Sequence, residues 1–71
     1  MSEYVFKRPD EGKVLRVKCV KVPGGYNAIY AFGEAEYDND DLLFSPSAKT
    51  IEKCKETMEE IVKSFGYVRE E

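Results

Sequence analysis

Between Ala48 and Phe65 the apolar residues Ala48, Ile51, Cys54, Met58, Ile61, Val62 and Phe65 recur at spacings of three and four. This is the chain's one long helical pattern, so its apolar stripe has to be buried against something other than a second helix. The residues upstream supply that partner. From Lys13 to Val22, Leu15, Val17 and Cys19 alternate with Arg16 and Lys18, the period of a half-buried strand. Val20 and Val22 break the phase, which predicts a bulge or a face switch near Cys19-Val20.

Tyr4-Val5-Phe6, all strong β-formers, place a short strand over Glu3 to Lys7, and Pro9-Asp10-Glu11-Gly12 turns the chain after it. Pro23-Gly24-Gly25 reads as a hairpin loop leading into a strand from Tyr26 to Tyr37. On that strand Ile29, Ala31, Gly33 and Ala35 form a small-residue face suited to a helix overhead. Tyr26, Tyr30 and Phe32 then fall on the other face and continue into Glu34 and Glu36. Asp38-Asn39-Asp40-Asp41 is a turn, and Leu42-Leu43-Phe44 reads as a short buried strand. Ser45-Pro46 has the form of an N-cap followed by proline in the first helical position, with Ser47 as the alternative cap. Glu59 and Lys63 form a favourable pair on the polar side of the helix. Gly66 suits the left-handed position after the helix, with Tyr67 folding back on Val62 in a Schellman motif.

The expected fold class is α+β: an antiparallel three- to four-stranded sheet packed on one face by a single C-terminal α-helix. The element order is β-β-β-(β)-α, with a short final strand at Tyr67-Val68-Arg69. At 71 residues the chain supports one core, hence one domain over residues 1–71. The helix covers one side of the sheet, so the opposite face is expected to lie open.

Composition narrows the chemistry. The chain has no histidine, which removes the usual general base near neutral pH and the commonest zinc ligand. Cys19 and Cys54 fit no CxxC pattern and fall in the inward phases of strand and helix, so both read as core residues facing each other across the interface. Pro23-Gly24-Gly25-Tyr26 lacks the Lys and Ser/Thr of a phosphate-binding loop. Counted from Asp38 as a calcium loop, the sixth position is Leu43 and the twelfth Lys49, where glycine and glutamate belong. The expectation is therefore a non-enzymatic protein with no catalytic residues, no metal and no cofactor. The scattered cysteines, the absence of an apolar leader in the first residues and the lack of a long apolar stretch point to the cytoplasm and away from a membrane.

Charge is distributed unevenly. Residues 1–33 carry six bases against three acids, and residues 34–71 carry eleven acids against five bases. The densest acidic stretch is Glu34, Glu36, Asp38, Asp40 and Asp41. On a strand, Glu34 and Glu36 would stand about 6.5–7 Å apart on one face, close to the spacing of successive phosphates. Together with Tyr30 and Phe32, these acids predict a surface offered to a basic macromolecular partner. One such role is a nucleic-acid-mimicking inhibitor or modulator of a DNA- or RNA-binding protein. A solvated turn that keeps the chain soluble accounts for the same acids.

Two other readings compete. In one, the sheet itself binds nucleic acid, with Arg16, Lys18 and Lys21 on phosphates and the rings stacking on bases; a pI near 5.0 argues against it. In the other, the open face pairs with a second copy, giving a homodimer or an assembly subunit.

Overall fold

The computed structural model describes residues 3–70. Three strands come first, β1 (Glu3–Arg8), β2 (Lys13–Val22) and β3 (Gly25–Phe32), followed by helix α1 (Ile51–Ser64) and the two-residue strand β4 (Val68–Arg69). The strands form an antiparallel sheet in the order β3-β2-β1-β4. Helix α1 packs on one face through Cys54, Met58 and Val62. This is the α+β architecture that the two hydrophobic periods predict, including the short last strand beside β1.

The β2–β3 hairpin turns on Pro23-Gly24, which pairs Val22 with Gly25 and continues without interruption to Leu15 and Phe32. Neither the bulge nor the face switch expected at Cys19-Val20 is therefore present. Val20 and Val22 instead lie half-buried on the face away from the helix.

Residues directly opposite one another in an antiparallel ladder point to the same side. Val17 lies between Tyr4 and Tyr30, Leu15 between Phe6 and Phe32, and Cys19 opposite Ala28. This row meets the helix, and Tyr4, Phe6, Leu15, Val17 and Ala28 share a core with Cys54, Met58, Val62 and Tyr67. The phase expected for β3 is thus reversed: Tyr26, Tyr30 and Phe32 point to the helix side, while Asn27, Ile29 and Ala31 point away. Volume explains the choice. The helix offers only three fully docked side chains, and the two tyrosine rings fill its flanks.

The opposite face is not open either, since Asn27, Ile29 and Ala31 are buried on it. Residues 42–48 run as a strap along the outer edge of β3. Tyr26 and Ala48 exchange two backbone hydrogen bonds of 2.8 Å, and the Leu43 amide donates to the Ala28 carbonyl at 2.8 Å. The Asn27 amide nitrogen donates to the Phe44 carbonyl at 2.7 Å. Leu42-Leu43-Phe44 is thus an edge bridge rather than a buried strand, and Leu42 is exposed.

The strap also delays the helix. With Ala48 paired to β3, the N-cap is Thr50, whose hydroxyl accepts from the Lys53 amide at 3.1 Å, and not Ser45 or Ser47. At the other end Gly66 adopts φ +91°. Its amide donates to the Lys63 carbonyl at 2.9 Å and that of Tyr67 to Val62 at 3.4 Å, the expected Schellman closure. Glu59 pairs with Arg69 of β4 at 3.1 Å in place of Lys63.

Candidate functional site

On the helix side, the far end of α1 stops short of the strap, and a groove of about 480 Å³ opens between them. Ile61, Val62 and Phe65 form one wall and Leu42 and Leu43 the other; Leu15, Tyr30 and Tyr67 make the floor, and Phe32 stands at the rim. The volume falls within the range of about 300–1,000 Å³ common to ligand sites. Its lip is apolar and wet, with Phe32 55% exposed, Leu42 45% and Phe65 63%. Tyr30 and Phe32 meet edge to face, centroids 5.9 Å apart at 79°. Arg8, the cation lining the groove, is engaged by Asp10 at 3.4 Å and Glu11 at 3.6 Å.

The local sequence explains this geometry. Phe32 ends β3, and Gly33 turns the chain with φ +59°, its amide donating to the Val14 carbonyl at 2.9 Å. Phe65 is the C-cap residue, beyond the last turn that docks on the sheet, so its ring is left outside the core. Leu42 opens the strap directly after Asp40-Asp41.

The acidic segment leaves the groove at Phe32 and returns to it at Leu42. Glu34, Glu36, Asp38, Asp40 and Asp41 are all exposed. Among the described residues, none of the ion pairs involves any of these five. Asp38 organises its own turn, accepting from the Asp40 amide at 2.9 Å. Glu34 and Glu36 lie beyond the end of β3, so the strand spacing assumed for them does not apply. None of the five acids lines the groove; Glu34 follows Phe32 by two positions and Asp40-Asp41 precede Leu42, while Tyr37 between them packs on the face away from the helix.

Two residues outside the expected set hold this segment in place. The Arg16 guanidinium donates to the Gly33 carbonyl at 2.8 Å and to the Ala35 carbonyl, and lies 3.4 Å from a Glu3 carboxylate oxygen. The Tyr37 ring sits against Arg16 at 4.9 Å and Lys18 at 4.6 Å, both on the face away from the helix. Its hydroxyl donates to Glu3 at 2.7 Å. Burial, then the Glu3 hydrogen bond and charge, raise the Tyr37 pKa well above the ordinary phenol range, against the opposing pull of Arg16. The hydroxyl therefore remains a donor at neutral and moderately alkaline pH. The signal for this clasp was an aromatic residue in the middle of an acidic run, on a chain whose preceding strand presents Arg16 and Lys18 outward.

Cys19 and Cys54 meet across the helix–sheet interface as expected. Burial, and then contact with Cys19, push the Cys54 thiol up to about 12, which disfavours the thiolate that nucleophilic chemistry requires. Among the described residues, no group of three or more His, Cys, Asp or Glu side chains is placed to hold a metal ion. Nor is any helix long and apolar enough to cross a membrane. No family model, no characterised protein and no solved structure matches the chain.

Proposed function

We propose that the chain is a non-enzymatic cytoplasmic binding protein. It takes a basic partner protein on the groove bounded by Phe32, Leu42 and Phe65, and so inhibits or modulates that partner. The observation that carries this reading is the coincidence of two features. Three large apolar side chains are exposed around one concavity, and the segment joining two of them carries five carboxylates outside the ion pairs of the described residues. Exposed apolar surface rimmed by charge is the usual composition of a protein-binding site. Glu34, Glu36, Asp38, Asp40 and Asp41 steer the encounter, and Tyr30 and Phe32 supply the aromatic anchors.

A nucleic-acid-binding protein is the natural class of partner, because its own ligand is an array of negative charge. Direct reading of nucleic acid by the sheet has less support. The rings that would stack on bases lie on the helix side, and Arg16 and Lys18 are engaged with the acidic segment.

The test is affinity capture from the native host. Wild type is compared with the triple variant Glu34→Lys, Glu36→Lys, Asp38→Lys, and the captured partner's affinity is then measured at two salt concentrations. The expected partner is basic, is lost by the variant, and binds more weakly as salt screens the rim. A partner held equally by both proteins, or held independently of salt, defeats the proposal.

A further inference from the structure

We infer that the groove receives an amphipathic helix bearing Lys and Arg, laid with its apolar face inward; this rests on the function proposed above and specifies how the partner is held. The argument begins with what the groove lacks. An extended peptide adds to a sheet by pairing with a free strand edge. The strap already runs along the outer edge of β3: the Tyr26 and Ala28 carbonyls accept from the Ala48 and Leu43 amides at 2.8 Å each, Ile29 bridges Leu42, and the Phe32 carbonyl accepts from the Ala35 amide at 3.1 Å. An occupant must therefore satisfy its own backbone before entering an apolar site, and a helix does so internally.

The shape agrees with this. One wall is the end of α1 and the other is the strap, so the concavity is a trough between two ridges of side chains, open along its top. Apolar residues spaced i, i+3, i+4 and i+7 on an incoming helix place successive anchors along such a trough. Phe32, Leu42 and Phe65 stand exposed at its lip, where such anchors would meet them.

Charge selects the other face of that helix. Glu34 follows the lip residue Phe32 by two positions, and Asp40-Asp41 directly precede the wall residue Leu42. Lysines and arginines flanking the apolar stripe of the occupant come down beside these carboxylates. Arg8 offers little opposition, since Asp10 and Glu11 already lie against it. The same rim repels phosphate, which sets nucleic acid aside as the occupant.

Three fluorescent probes of about 18 residues decide the matter by anisotropy at low salt. The first is a leucine–lysine peptide patterned as an amphipathic helix. The second has the same composition with no helical face, and the third is oligolysine. The expected result is that the patterned peptide binds about tenfold tighter than the other two and gains helical circular dichroism on binding. Leu42→Ser and Phe65→Ser each weaken it about tenfold and leave oligolysine unchanged. Both side chains are exposed in the free protein, and superimposable melting curves establish that the variants are folded. If all three probes bind alike and neither variant matters, the helix-in-groove inference is wrong while the acidic-rim reading stands. If the unpatterned peptide binds best, the occupant is not a helix. If no basic probe binds at low salt, the proposed function itself fails.

Discussion

Replacing Arg16 tests whether the acidic segment is held in one place or merely drawn there. Arg16→Met keeps the length and apolar stem of the side chain and removes the guanidinium. In the native protein that group donates to two carbonyls, of Gly33 and Ala35, and adds a Glu3 carboxylate at 3.4 Å and the Tyr37 ring at 4.9 Å. Hydrogen bonds from a charged donor are worth about 1.5–3 kcal/mol each. A surface ion pair adds about 0–1 kcal/mol, and an exposed cation–π contact about 0.5–1 kcal/mol. Water takes over both carbonyls once the segment lifts, and Lys18 remains against Tyr37, so the net loss falls below that sum, to about 2 kcal/mol. For a domain of this size that lowers Tm by roughly 8–16 °C. Arg16→Lys, which keeps the charge but not the fork, should fall about midway. The assay is thermal melting by circular dichroism, with amide hydrogen exchange across residues 33–37. A melt of Arg16→Met within about 3 °C of wild type refutes the clasp, as does a lowered melt in which exchange over 33–37 is unchanged.

Other consequences are equally direct. In the folded chain Cys54 holds its proton up to about 12, against an ordinary value of 9.0. The unfolded chain releases that proton first, so the contribution is whole below pH 9 and drains away as pH rises from 9 towards 12. Urea midpoints of wild type and Cys54→Ala should therefore converge over that window, and parallel curves would contradict the assignment. Met58→Ala empties a fully buried site under the helix and should cost about 2–5 kcal/mol in urea denaturation; a cost under about 1 kcal/mol would show that the core closes over the gap. Gly25 has φ +148°, and a Cβ there would overlap the Ala48 carbonyl oxygen. Gly25→Ala should lose about 1–3 kcal/mol to backbone strain alone and speed amide exchange at Tyr26 and Ala48, whereas unchanged exchange would mean that the strap does not depend on this close approach.

Much of the fold was legible because two hydrophobic periods were clean. Leu15, Val17 and Cys19 gave β2 its inner face, and Cys54, Met58 and Val62 gave α1 its stripe. Gly66 and Tyr67 closed the helix as their residue types demand. The start of the helix was misread because Ser45, Ser47 and Thr50 are all competent caps, and only the long-range pairing of Ala48 with Tyr26 chooses among them. The phase of β3 was misread by judging residue size, although hairpin parity held the answer. A two-residue loop at Pro23-Gly24 pairs each odd-numbered residue of β2 with an even-numbered residue of β3, which carries Tyr30 and Phe32 to the side of Val17 and Leu15. For the site, the sequence marked the acids and the two rings. It did not show Arg16 and Tyr37 as their support, or Phe65 as a groove wall, because those roles arise between segments far apart in the chain.

The thiols at the interface have a use that needs no engineered label. Cys54 rides on the helix and is fully buried, while Cys19 belongs to the strand beneath and is only half covered. An alkylating reagent reaches the deeper sulfur when the two layers part, so under native conditions its modification rate reports the fraction of molecules in which they stand apart. Followed with and without a ligand in the neighbouring trough, that internal gauge tells whether occupancy locks the helix down or lets it swing away.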